Sequence, residues 1–228
     1  MANNIYELVF YVVFFAILIP VALLAWHFKH QSPEMRWLMF TLLLSFAGDM
    51  IAELSVQLGI LFVNLGSILY GIIAPIVFAI FFVHCLQWKR WRVPVIVAGC
   101  SVTAFSLYNS MFLQRQAINS WSATLLSLFI LAMSIIYFYK LIIELPSDQI
   151  QTLPLFWIIS SFFFTHAGKL VLVVVSNYMT TILNDNLMVL WIFHNILTLV
   201  GLVALTWGIW LQIQSSRRSL SKSRAINR

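Results

Sequence analysis

The stretch ILYGIIAPIVFAIFFVHCLQWKRWR, residues 68–92, decides how the chain is read. From Leu54 to Trp88 there is no Asp, Glu, Lys or Arg; then Lys89, Arg90 and Arg92 arrive together, with Trp88 and Trp91 among them. An α-helix needs about 20 apolar residues to cross the hydrocarbon core of a bilayer. Tryptophan and cations mark the place where such a helix meets the headgroups. The spacing therefore predicts a membrane-crossing helix over 61–87 that ends at a basic, aromatic boundary.

The same punctuation recurs on both sides of it. Apolar runs at 5–26, 37–58, 61–87, 92–112, 121–143, 154–177 and 187–213 are each long enough to cross. In the whole chain 62% of residues are hydrophobic and 9% charged, against about 25% charged in an ordinary soluble domain. The expected architecture is all-α: a polytopic bundle of seven transmembrane helices over 1–213, then a basic cytoplasmic tail over 214–228, with no separate soluble module. Met1 to Asn4 carry no cation, and the first run continues into Trp26 and Lys29 without a small-residue cleavage site, so it reads as a retained span. Pro20, Pro75 and Pro94 fall inside spans or near their ends, and Pro33, Pro146 and Pro154 mark connections. Cys85 and Cys100 lie in apolar runs on the side assigned to the cytoplasm, and no disulfide is expected.

Orientation follows from the cations in short loops. Lys29, Arg36, Lys89, Arg90, Arg92, Lys140 and the tail residues Arg217, Arg218, Lys222, Arg224 and Arg228 all fall on one face, whereas the other has Arg115 with Asp185 and Asn119, Asn184 and Asn186. The N-terminus is predicted outside and the C-terminus in the cytoplasm. A formal charge of +6 also raises nucleic acid as a partner, but these cations sit at span ends rather than along a groove-binding helix, so none is expected.

Ionisable groups within spans cost roughly 2.5–3.5 kcal/mol each at a helix centre and need a reason. Asp49 and Glu53 share a face of the second span at i and i+4, with Ser45 and Gln57 extending that stripe. His166 and Lys169 share a face of the sixth, and His194 and Asn195 lie on the seventh with Thr198 beyond. At about 1.5 Å of rise per residue, Glu53 lies about 8 Å, Asp49 13 Å, Lys169 12 Å, His166 16 Å and His194 11 Å below the outer ends of their helices. Tyr70 and Asn64 of the third span, and Glu7 and Tyr11 of the first, fall at similar or shallower levels.

The layer admits more than one use. It can be a structural network in which Lys169 neutralises Asp49 or Glu53 and the histidines and Tyr70 complete the hydrogen bonds. The same residues, with Asn195, can form a ligand pocket open to the outside. A metal centre is disfavoured, because no HxxxH or HExxH spacing is present and an ammonium opposes a cation; no metal and no cofactor are expected. A lysine in a seven-helix bundle is also a feature of microbial rhodopsins, but theirs is on the last helix and this one is on the sixth. No GxSxG and no Gly-rich phosphate loop is present.

Residues 156–178, from Phe156-Trp157-Ile158 through Gly168-Lys169-Leu170 to Ser176-Asn177-Tyr178, together with 190–196 and Trp207-Gly208-Ile209-Trp210, resemble a group of small seven-helix membrane proteins of Bacteroidetes. The resemblance implies a bacterial inner membrane location and no particular activity. The chain is more loosely similar to the seven-helix sensor regions of some bacterial histidine kinases, although no attached kinase is expected here. Ser45 to Asp49 look like the Gly-Asp stretch of lysoplasmalogenase-type membrane hydrolases, which have eight helices and a second carboxylate on a later span. The functional expectation is a non-catalytic, receptor-like or sensory subunit, or a membrane subunit of a larger assembly, in contact with lipids and a protein partner. A lipid hydrolase using Asp49, Glu53 and His166 or His194 is the alternative, and a small transporter the third.

Overall fold

A computed structural model describes residues 2–58, 65–113, 120–144, 149–178 and 188–226. Among them the regular structure is helical: α1 (Ala2–Ala16), α2 (Leu18–Trp26), α3 (Pro33–Gln57), α4 (Leu65–Leu86), α5 (Arg92–Tyr108), α6 (Ser120–Glu144), α7 (Pro154–Tyr178) and α8 (Met188–Ile226). Seven segments are long and apolar enough to span a membrane, with α1 and α2 together making the first. Neighbours in sequence pack as neighbours in space, α1 and α2 close the ring against α8, α2 also meets α3, and α4 reaches α6. All seven predicted spans thus correspond to helices. Asn64, Arg115, Asn119, Pro146, Asn184, Asp185 and Asn186 lie outside the described residues, as do the side chains of Glu7 and of everything beyond Ser216.

The prolines account for the local irregularities. Pro20 has no N–H to give the Ala16 carbonyl, and α1 ends at Ala16 with the chain restarting as α2 at Leu18. Pro33 and Pro154, expected as connections, are the first residues of α3 and α7, where a missing N–H costs nothing. Pro75 sits inside α4 and has no N–H to give the Gly71 carbonyl; at the next residue the Ile72 carbonyl accepts a 2.9 Å hydrogen bond from Thr103 Oγ1 of α5, which ties the two helices together at the proline. The last turn of the fourth span, Asn109–Leu113, is a π-helix, and its buried Asn109 donates from Nδ2 to Ser122 Oγ at 3.0 Å.

Glycines set the closest crossings. A Cβ on Gly66 of α4 would strike the Gly48 carbonyl of α3, one on Gly99 of α5 would lie 2.6 Å from Ala79 Cβ, and one on Gly208 of α8 would lie 2.8 Å from Ile158 Cγ1 and the Pro154 carbonyl. Small residues at such points are what let helices associate where lipid removes the hydrophobic drive. The dry core, with Met35, Leu38, Phe78, Phe82, Ile130, Ile158 and Leu205 at 2% exposure or less, runs from mid-bundle toward the end where the cations cluster, termed the basic end. There Trp88 Nε1 donates to Glu144 at 2.7 Å, and Lys140 pairs with Glu144 at 3.5 Å and donates to the Cys85 carbonyl at 3.4 Å. The outward stripes of the helices are apolar and exposed, Val93, Ile143, Phe164 and Val203 among them at 57–69%. An exterior of this kind suits lipid rather than water.

Candidate functional site

Three helices carry inward stripes that change character along their length. On α3 the outward stripe is Arg36, Phe40, Leu43, Ala47, Met50 and Leu54, all exposed. At about 100° per residue the opposite stripe is Met35, Leu38, Leu42, Ser45 and Asp49. Its first three members are buried, Ser45 is half-buried and Asp49 is exposed. On α4 the stripe from Phe78 through Ala74 ends at a half-buried Tyr70, and on α7 the stripe from Ile158 through Phe162 and His166 ends at a half-buried Lys169. Groups that helix geometry aims at the axis are therefore accessible. By these exposures the bundle is closely packed at its basic end and opens in its other half, where Asp49 is exposed and Tyr70 and Lys169 are half-buried.

The side chains around this opening belong to one electrostatic cluster. Lys169 Nζ rests 5.7 Å over the centroid of the Tyr70 ring. Asp49 lies within electrostatic reach of Lys169 and of Tyr70, whose phenol adjoins Ser45. His194 lies within reach of Lys169, and His166 within reach of both. The close approach of α3 and α4 beside Tyr70 is set by Gly66, where a Cβ would strike the Gly48 carbonyl, while a Cβ on Gly48 would meet Tyr70 Cβ at an ordinary 3.4 Å. Glu53 accepts a 3.2 Å hydrogen bond from Tyr11 of α1. The expected contact of Lys169 with Asp49 or Glu53 is not formed; among the described residues the ion pair at contact distance is Lys140–Glu144, and the face of Tyr70 takes the ammonium instead.

The histidines are held differently. His166, 6% exposed, places Nδ1 3.3 Å from Ser127 Oγ, and Phe78 meets its ring edge-on at 5.8 Å. The Ser127 hydroxyl donates to the Ala123 carbonyl at 2.8 Å, which uses its only proton. The imidazole must therefore donate from Nδ1 and Ser127 accept. That polarity is opposite to the one in which a histidine activates a serine as nucleophile. His194 stands edge-on to Trp191 at 6.2 Å, with its Nδ1 buried and without a hydrogen-bond partner among the described residues. The same holds for Nδ2 of Asn195, which is 8% exposed. Gly201 meets Ser161 and Thr165 of α7, and Asn195 stands about 120° around α8 from it.

Of the residues singled out in the sequence, Asp49, Tyr70, His166, Lys169 and His194 come together as one group; Glu53 is tied to α1, and Asn195 follows His194 in the chain without joining the group. Ser127 was missed. It lies on a buried edge of α6 with Ser120 and Ser134, where serines read as small packing residues, and nothing local announces a histidine opposite. No group of His, Cys, Asp and Glu among the described residues has the arrangement of a metal site. In comparisons with known proteins, no family model, no curated protein and no solved structure matches this chain.

Proposed function

We propose that the chain is a receptor-like, non-catalytic protein of a bacterial inner membrane, with its N-terminus outside and its C-terminus in the cytoplasm. A small ligand enters the opening between α3, α4, α7 and α8, and the change is passed to a protein partner at the basic end. The observation that carries the reading is that α8 both contributes His194 to the site and continues as one helix to Ile226, beyond the last apolar turn. From Asn195 to Ile226 is about 47 Å at 1.5 Å per residue, enough to carry a displacement at the site out to the basic tail. Orientation rests on the clustering of Lys and Arg at that end.

The test has three parts. With Cys85 and Cys100 replaced by Ala, Asp49→Cys should react with a membrane-impermeant maleimide in intact cells, whereas Leu38→Cys, at 0% exposure, should not. A reporter active only in the cytoplasm should give signal after Arg228 and none at Asn184. Purified protein should not turn over ether or ester lysolipids. An unreactive Asp49→Cys removes the pocket, the reverse reporter pattern removes the orientation, and turnover that disappears in Asp49→Asn replaces the receptor with a hydrolase.

A further inference from the structure

Two opposite charges face this opening without meeting. Asp49 and Lys169 feel each other electrostatically, yet Lys169 lies on the Tyr70 ring and Asp49 is open to the cavity. In a medium of low dielectric such charges attract strongly, and a pair that stays apart leaves both incompletely compensated. Buried His194 Nδ1, near Lys169, adds a group with no hydrogen-bond partner among the described residues. Unsatisfied polar atoms at such a place are exceptional in a folded protein and point to something that completes them.

Resting on the ligand-pocket reading above, we propose that the occupant is a small zwitterion or zwitterionic headgroup, with a primary ammonium held by Asp49 and an acidic group held by Lys169 and His194. Each charge of such a molecule meets its opposite, so the site takes it up without a net change of charge inside the bundle. The ammonium must carry N–H groups. A carboxylate binds it through hydrogen bonds, and the aromatic face that would otherwise receive a quaternary ammonium, Tyr70, is already covered by Lys169. The same chemistry is available from a free molecule such as phosphoethanolamine and from the headgroup of phosphatidylethanolamine.

The full chain in phosphatidylglycerol nanodiscs is titrated with phosphoethanolamine, phosphocholine and inorganic phosphate, following tryptophan fluorescence and thermal midpoint. Saturable binding of phosphoethanolamine at least tenfold tighter than that of the other two, and weakened at least tenfold by Asp49→Asn and by Lys169→Met, supports the proposal with a free ligand. No response to soluble probes, but a midpoint raised by phosphatidylethanolamine over phosphatidylcholine in the parent and in neither variant, supports it with a lipid headgroup. If the variants do not fold, the ranking of probes on the parent decides alone. Phosphate bound as tightly as phosphoethanolamine, with Asp49→Asn unaffected, overturns the zwitterion and leaves an anion pocket. No response to any probe or lipid overturns it as well, and labelling of Asp49→Cys then tells whether the pocket itself survives.

Discussion

Lys169 Nζ stands 5.7 Å above the centroid of the Tyr70 ring, and that aromatic face, rather than a carboxylate, is what the ammonium of α7 meets on α4. A desolvated cation–π contact contributes about 2 kcal/mol. Lys169→Met and Tyr70→Leu should therefore be non-additive in a double-mutant cycle on thermal stability in detergent, with a coupling of about 1–2 kcal/mol. The cycle pairing Lys169→Met with Asp49→Asn should give the smaller coupling. The opposite order would mean that the two charges close into an ion pair in the membrane.

Ser127→Ala should destabilise by about 1–3 kcal/mol, because it strands the buried Nδ1–H of His166. His166→Phe, which removes both ends of the bond, should restore part of the loss when added to it. Equal stability of Ser127→Ala and the parent, by thermal unfolding monitored at the tryptophans, would show that the bond is not formed.

Glycines of the bundle should divide sharply. Gly66→Ala and Gly208→Ala push backbone or well-packed side chains apart and should each lower stability by about 1–3 kcal/mol. Gly71→Ala meets only Ser122 Cβ, at an ordinary 3.8 Å, and should be neutral or stabilising by up to about 1 kcal/mol through helix propensity. A detergent half-life series across the three variants separates these outcomes.

Gln87 closes α4 with φ of 56°, a left-handed conformation that a side chain makes costly. Its N–H bonds the Val83 carbonyl at 3.2 Å, as a residue following a helix end should. Gln87→Gly should raise stability by about 1 kcal/mol and Gln87→Val should lower it, since αL costs an L-residue roughly 1–2 kcal/mol. A thermal midpoint that moves the other way in Gln87→Gly would show that the amide side chain holds the turn.

Much of this was legible in the chain because a bilayer sets a length and demands an end. The runs expected to close at 26, 87 and 143 end within one residue of the helix ends at Trp26, Leu86 and Glu144, since cations and tryptophans mark both. Asp49, His166, Lys169 and His194 were legible as a layer for a related reason: rise per residue fixes depth, and cost in an apolar medium singles them out. Partners were not legible. Lys169 of α7 meets Tyr70 of α4 beside the crossing where Gly66 brings α4 almost into backbone contact with α3, and which way a ring turns there depends on more than one helix at once. Nor does any run of residues reveal that Asp49, on the same stripe as Leu38 and Leu42, looks into open space, because that space is defined by what three other helices fail to fill.

The glycine contacts between α7 and α8 have a mechanical consequence. Gly168 against Leu197, Gly201 against Ser161 and Thr165, and Gly208 against Ile158 and Pro154 bring the two helices together at three levels, and Ser161 Oγ locks the middle one by donating to the Gly201 carbonyl at 2.7 Å. Two rods pinned at three levels bend as one beam, far stiffer than either alone. Lys169 is mounted on one rod and His194 on the other, so their spacing is a fixed dimension of the protein, while Asp49 belongs to α3, which is not pinned to that beam. Lys169 and His194 are thus held at a spacing set by backbone contact, whereas Asp49 faces them from a helix that shares no such glycine contact with α7 or α8 among the described residues.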